Sequence, residues 1–484
     1  MKLYSDATAV AQAIKRGNLS PKEAVQMALD QIEKLNPQLN AVHFIQAERA
    51  LAEAEKLTDY SAPFAGVPIL LKDLGQSYEG FLDASGSALL KDNRSKMTNH
   101  LVKSMLKAGF IIIGMSNVPE FGIKFISDSN YYGCVKNPVE PAYHAGGSSG
   151  GAAAAVQSGM VPIAAASDGG GSIRIPASFS GLIGLKPSTG RMAAGPSVWR
   201  SWGGGSTNFA VTRSMRDTES LFELMQTDEY DAMPFRLPLI SSEAIQEAHA
   251  GVKKLKIGYA VYPEYDSKEA VQAMEETVAL FRKHGFSVEA ADPELPVDSL
   301  IESYYMMNGI EIDKIFNNIE KGLGRKIEAH DVEPITWALR EYGRKILGSQ
   351  YSALFDLWDQ ASAAMSNFHK EYNLYLHPTT TGPAPSLDQV LYDEEAFLAA
   401  GDYQKLSFNE MQAMIRQAFE PANHLSPYAL IDNLTGCPAI SLPLHTCQSG
   451  LPLGLQFSAA KGREDLLLAI GRYLEKHNSF AYYD

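Results

Sequence analysis

The run His144-Ala145-Gly146-Gly147-Ser148-Ser149-Gly150-Gly151, answered by Ser167-Asp168-Gly169-Gly170-Gly171-Ser172-Ile173-Arg174, decides how this chain is read. Glycine permits φ > 0 and lets a ligand come close to the main chain. A serine held there can offer its hydroxyl to a substrate while neighbouring N–H groups point at a developing anion. Three uses of such a segment compete. A flexible linker is the usual meaning of Gly/Ser-rich sequence, but this one runs directly into Ala152-Ala153-Ala154-Ala155-Val156, a strong helix former. A phosphate loop needs a lysine after its glycines, and none follows. A nucleophilic serine remains, in two versions. Gly146-Gly147-Ser148-Ser149-Gly150 matches the G-x-S-x-G elbow letter for letter. That elbow follows a strand, however, and Asn137-Pro138-Val139-Glu140-Pro141-Ala142-Tyr143 carries two prolines, unsuited to a central strand. None of the 11 histidines stands out as a partner, so the match is accidental.

The second version adds a lysine. Val67-Pro68-Ile69-Leu70-Leu71-Lys72-Asp73-Leu74 reads as an apolar strand closed by Lys72, which taken alone is ordinarily a solvated lysine at a strand end. A lysine is a base only when neutral, and from a reference pKa of ~10.4 its deprotonation near neutrality costs roughly 4 kcal/mol. Burial beside Ile69, Leu70 and Leu71 lowers that cost, because desolvation disfavours the charged form.

Composition narrows the partners. The 484 residues are 45% hydrophobic and 20% charged, enough for a substantial core. A net charge of −14 without a Lys/Arg-rich run argues against nucleic acid. Three scattered cysteines, Cys134, Cys437 and Cys447, suit a reducing cytoplasm better than a disulfide framework. The start MKLYSDATAVAQAIKRGNLS has no signal-peptide core, and no run of about 18 apolar residues is present to cross a membrane. No HExxH pattern or histidine cluster is present, so neither metal nor cofactor is expected.

Secondary structure follows from periodicity. Ser20-Pro21-Lys22-Glu23 starts a helix with a capping box, expected to end at Asn36-Pro37, and a second helix is expected over Ile45–Lys56. Strands are expected at Val67–Leu71, Phe110–Gly114, Leu255–Val261, Phe286–Ala290, Ala439–Leu442 and Leu453–Phe457. Helices are expected over Leu101–Ala108, Lys268–His284 and Glu464–Lys476. Strand, helix, Gly285 and strand make a βαβ unit. The expected fold is α/β: a large mixed, mostly parallel twisted sheet sandwiched between helical layers. The expected organisation is a single domain over 1–484, with a helical lead-in (1–60), a catalytic core (61–210) and a variable substrate-side region (225–380) rich in aromatics.

Together these segments resemble the amidase signature family. Its members share an apolar strand ending in Lys-Asp, then GGSSGG, then a T/S-D-x-GGS-[IV]-R run, then GLKP-x-x-GR, here Gly184-Leu185-Lys186-Pro187-Ser188-Thr189-Gly190-Arg191. The likeness extends to Gly436-Cys437-Pro438-Ala439-Ile440-Ser441-Leu442-Pro443 and so covers nearly the whole chain. It implies Ser172 as nucleophile, Ser148 as bridging serine after a cis peptide, and Lys72 as general base. It further implies an oxyanion hole from the N–H groups of Gly169, Gly170, Gly171 and Ser172. Ser149, Asp168 and Arg174 fall on matching positions as supports. The implied activity is amide hydrolysis through an acyl-enzyme, with a small-molecule amide as partner and a homodimer as the assembly to consider. Ala62–Pro68, Leu71–Leu74 and Gly462–Leu468 resemble the branch that contains 6-aminohexanoate cyclic-dimer hydrolase. The alternatives are a glutaminase-type subunit of a tRNA-dependent amidotransferase, or a non-catalytic complex subunit. The former is weakened because Ser426 stands where such subunits carry Asp. Phe125, Tyr131, Trp199, Tyr304, Tyr305 and Pro378–Thr381 are further pocket candidates. Tyr132 and Trp202, which flank catalytic elements, are the substrate-binding residues expected, although core packing explains either one equally well. An aromatic lining would favour an apolar or aromatic acyl group.

Overall fold

Helix formation begins at the serine that the sequence marks. Ser20 accepts the Glu23 N–H at 3.1 Å, the Glu23 carboxylate accepts the Ser20 N–H at 2.7 Å, and Pro21 opens the helix Pro21–Leu39. That helix runs past its expected stop at Asn36-Pro37. Pro37 sits in the last turn, where Asn36 clamps Val42 by accepting its N–H and donating to its carbonyl, and left-handed Asn40 ends the helix. The next helix starts at Ala47 rather than Ile45, because Val42–Ile45 is a strand. This computed structural model describes residues 5–482 apart from 231 and 400–402, so the first four and last two residues of the expected 1–484 unit lie outside the described residues.

The strands are β1 Val42–Ile45, β2 Pro68–Lys72, β3 Ile111–Ser116, β4 Asp128–Ser129, β5 Gly133–Cys134, β6 Ala164–Asp168, β7 Ile183–Lys186, β8 Thr207–Thr212, β9 Lys256–Tyr259, β10 Ser287–Ala290, β11 Leu374–Pro378, β12 Ala439–Thr446 and β13 Pro452–Ala459. β4 and β5 pair with each other. The other eleven form one sheet in the order β1-β3-β2-β6-β8-β7-β12-β13-β11-β9-β10. The large mixed sheet among helical layers is as expected, and so is the parallel β9–helix–β10 unit. The expectation of mostly parallel pairing is narrowed. Parallel neighbours form two blocks, β3-β2-β6 and β11-β9-β10, while β6-β8-β7-β12-β13 between them pair antiparallel. In that middle stretch β12 turns directly into β13, whereas β7 and β12 are brought together from distant parts of the chain.

The core divides into two apolar clusters. One is built on the sheet and includes Ile69, Leu70, Ile112, Ala165 and Leu455. The other joins the helices Val297–Leu323, Pro334–Gly343 and Phe408–Asn423 around Tyr305, Phe316, Tyr342 and Trp358. The aromatics of the 225–380 stretch are thus mainly helix-packing residues. β2 and β6 are parallel neighbours, with Leu70 opposite Ala164. Their C-terminal ends therefore open on the same edge, which brings Lys72 to Ser167 and Asp168. Ligands of open α/β sheets bind beyond such strand ends.

Candidate active site

Lys72 closes β2 with its side chain completely buried, among Ile69, Leu70 and Leu71 on the same strand. Its Nζ donates to Ser148 Oγ at 2.8 Å, to Ser167 Oγ at 2.9 Å and to the Ser167 carbonyl at 3.2 Å. Burial lowers its pKa to about 7, against an opposing pull from the Asp168 carboxylate. The backbone around it is fixed on both sides. Gln76 accepts the Lys72 N–H at 2.8 Å and donates to the Ala166 carbonyl at 3.0 Å, tying β2 to β6. Asp73 accepts the N–H groups of Ala84 and Gly86.

Ser148 follows a cis Gly147–Ser148 peptide, as the family resemblance implied. No larger residue fits before it, since a Cβ on Gly147 would lie 2.5 Å from the Ile126 carbonyl carbon. Ser127 Oγ donates to the Ser148 carbonyl at 3.2 Å and accepts the Gly150 N–H at 2.9 Å. Ser149 ties the two serine segments together. Its Oγ donates to the Ser167 carbonyl at 3.2 Å, and its N–H donates to the Ser172 carbonyl at 3.3 Å. Among the described residues no strand leads directly into Gly146, as the G-x-S-x-G elbow would require.

Ser172 is 6% exposed and sits at the turn into the helix Arg174–Ser180. Among the described residues no hydrogen bond joins its Oγ to the Lys72–Ser148 network; catalytic contacts are often looser before substrate binds. Asp168 organises the loop. Its carboxylate accepts the Gly171 N–H at 2.7 Å, the Ile173 N–H at 3.1 Å and both Nε and an Nη of Arg174, at 2.9 and 3.0 Å. Burial works to raise its pKa, but the Arg174 charge and these bonds hold it well below the usual carboxylate range. Arg174 also reaches Asp432 at 3.0 Å, Asn433 at 2.7 Å and Gln456 at 3.1 Å.

These bonds distinguish among the four N–H groups expected to form an oxyanion hole. The Gly171 N–H belongs to Asp168, which leaves the N–H groups of Gly169, Gly170 and Ser172 without a protein partner among the described residues. Tyr304 closes over this loop, its hydroxyl 2.5 Å from where a Cβ of Gly170 would stand.

A cavity of about 380 Å³ has Ser167 on its wall, whereas Lys72, Ser148 and Ser172 are not among its lining residues. Trp202 lines it, along with Trp199, Phe121, Met192, Phe235 and Ile319. Trp202 Nε1 donates to Asn308 at 2.6 Å, anchoring the loop to the helix Val297–Leu323. Tyr132 does not line this cavity. The β4–β5 ribbon carries it away, its ring stacks on His43 at 4.0 Å, and Asn40 holds its carbonyl at 2.7 Å. Sequence reasoning missed Ser167, Gln76, Ser127 and Asn433. Ser167 opens the second quoted motif, which was the one available signal; the others lie outside the glycine clusters.

The fold and the family model together define the class, that of the amidases. The amidase family model matches residues 23–468, and the chain belongs to that family. It is 36% identical over 477 residues to lipoamidase of Enterococcus faecalis, a match covering 98% of this chain and 64% of that protein's length. It is 31% identical over 483 residues to 6-aminohexanoate-cyclic-dimer hydrolase of Paenarthrobacter ureafaciens, covering 98% of this chain and 94% of that protein. A solved structure of 6-aminohexanoate cyclic dimer hydrolase superposes with a TM-score of 0.89 at 29% identity, over 99% of this chain and 97% of that one.

Proposed function

We propose that the chain cleaves amides by the route Ser172, Ser148, Lys72. Neutral Lys72 takes the Ser148 hydroxyl proton as Ser148 takes that of Ser172, and Ser172 Oγ bonds to the amide carbonyl carbon. The N–H groups of Gly169, Gly170 and Ser172 receive the oxyanion. Breaking the C–N bond returns the proton to the leaving amine, and water then cleaves the Ser172 ester by the same relay. One observation carries the reading: a fully buried lysine with a pKa of about 7, 2.8 Å from the serine that precedes the nucleophile loop. A fluorophosphonate probe should label the wild type and fail on Ser172→Ala, with labelling strongly slowed in Lys72→Ala. Labelling that survives Ser172→Ala would assign the nucleophile elsewhere.

The apolar lining of the cavity supports acyl groups larger than acetyl. At ~0.8 kcal/mol per buried methylene, a six-carbon or aryl acyl amide should exceed acetamide in kcat/KM by on the order of 100-fold. Equal turnover of both would remove the pocket assignment. Turnover by the purified chain alone also separates this reading from a complex subunit. The glutaminase alternative is not favoured, since Ser426 donates to the Thr379 carbonyl inside the fold. We take residues 1–484 as one amidase unit, with 225–380 forming much of the substrate side. The cytoplasm is its compartment, consistent with free Cys134, Cys437 and Cys447. Among the described residues no helix is long and apolar enough to cross a membrane. Whether the unit pairs as a homodimer is read directly by sedimentation.

A further inference from the structure

The polar groups on the wall of the cavity are unevenly chosen. Among the described residues that line it there is no lysine, arginine or histidine, and the one ionisable carboxylate is Asp83. Asp83 Oδ2 accepts the Ser77 hydroxyl at 2.7 Å, and no basic side chain pairs with it. Asn99 donates its backbone N–H to the Ser77 carbonyl at 3.0 Å, so Ser77 links the Asp83 carboxylate to the Asn99 main chain, and both residues line the cavity. The Asn99 amide is oriented by Nδ2, which donates to the Gly75 carbonyl at 2.8 Å. That leaves its Oδ1 as an acceptor, buried and without a partner, on a residue only 8% exposed. A buried acceptor left unmade is costly, and a carboxylate facing an apolar cavity without a cation is costlier still. Burial accordingly pushes the Asp83 carboxyl above its ordinary range, with the nearby Asp73 adding to the shift. Asn99 Oδ1 lacks a donor, and Asp83, held only by the Ser77 hydroxyl, lacks a cation; one ammonium group would meet both needs.

We infer that Asp83 and Asn99 form an ammonium subsite, so that the preferred substrates are amides whose chain, remote from the scissile bond, ends in a protonated primary amine. The apolar stretch between Ser167 and this patch holds the methylenes, and the patch receives the three N–H donors of the ammonium. The same charge rejects a carboxylate tail by repulsion, so discrimination works in both directions. The subsite rests on the reading of this cavity as the substrate pocket, and its test separates the two.

Hexylammonium, hexanol and hexanoate are titrated calorimetrically into Ser172→Ala, which reads the subsite without turnover. Hexylammonium should bind about tenfold or more tighter than hexanol, and hexanoate weakest. In parallel, wild-type kcat/KM is compared for hexanoyl, 6-aminohexanoyl and 5-carboxypentanoyl p-nitroanilides, and for N-hexyl against N-(6-aminohexyl) amides of one acid. The amine-tailed member should lead in at least one series, with the ratio falling about tenfold in Asp83→Asn. Equal binding of the three ligands, or a preference for hexanoate, would overturn the subsite even if every anilide is hydrolysed. Failure to hydrolyse any amide while hexylammonium binds selectively would instead overturn the proposed function. The wild-type rankings decide the matter even if Asp83→Asn proves unstable.

Discussion

Lys72 shows how a single residue serves two opposed demands. Its burial sets the pKa near 7, so activity should rise with pH and level off above about 7, as the neutral amine fills. A pH–rate profile of kcat/KM checks this, and a limb that falls instead of rising through that range would exclude lysine as base. The same burial costs stability. Between about 7 and the unfolded lysine value of 10.5, the unfolded chain binds one more proton than the native one. Stability from this group therefore rises with pH across that window and is lowest below about 7. Lys72→Met should abolish amide turnover yet raise the melting temperature at pH 6, by removing a penalty on the order of 3–5 kcal/mol before the loss of its hydrogen bonds to Ser148 and Ser167 is counted.

At the scale of elements, the loop between β6 and the helix Arg174–Ser180 is held by one ion pair more than by its own backbone. Asp168 takes four donors from Gly171, Ile173 and Arg174, and Asn433 adds a fifth at 3.0 Å. Asp168→Asn would leave the buried Arg174 partly uncompensated, a change that costs roughly 3–5 kcal/mol. It would also turn one of the two accepting oxygens into an N–H donor, at the cost of the bonds to Ile173 and Arg174 Nε or of those to Gly171 and Arg174 Nη, and so loosen the turn around Ser172. The expected outcome is lower stability in urea denaturation together with slower fluorophosphonate labelling. Normal labelling with lowered stability would mean that the loop is set by other contacts. The sequence marked this element well, because glycines, serines and the Asp/Arg pair sit within eight consecutive residues. It did not reveal that the Gly171 N–H bonds to Asp168, because which N–H a carboxylate captures depends on the path of the turn.

Across the whole molecule, the helices of the second cluster are tied to the catalytic core by buried charge. Lys124 binds Glu333 at 2.7 Å and Glu394 at 2.9 Å. Glu120, next to cavity-lining Phe121, accepts the Glu333 N–H at 2.8 Å and the Thr336 hydroxyl at 2.6 Å. Glu333 precedes the helix Pro334–Gly343, which packs with Val297–Leu323, the source of cavity residues Ile315 and Ile319. Glu333→Gln should therefore cost about 2–4 kcal/mol and raise KM more than it lowers kcat, because it moves the cavity wall and leaves the lysine relay alone. Steady-state kinetics beside a denaturation curve check both parts. An unchanged KM would show that the wall stands without this link.

The local signals in the chain settled what short-range physics can settle. A capping box needs only Ser20 and Glu23, a final helix needs only the apolar stripe in Glu464–Lys476, and the two serine clusters and Lys72 were legible as ordered motifs. Val42–Ile45 escaped as a strand because four residues carry little periodicity until β3 lies beside them. The tertiary structure alone decided the rest. Parallel pairing of β2 with β6 put Lys72 next to Ser148 and Ser167, 76 and 95 residues away along the chain, and the β4–β5 ribbon turned Tyr132 out of the pocket. It also gathered Asp83, Ser77 and Asn99 on one wall, although none of them carries a motif. Pocket chemistry of that kind arises from which surfaces the fold closes against each other, and a linear pattern does not record those distances.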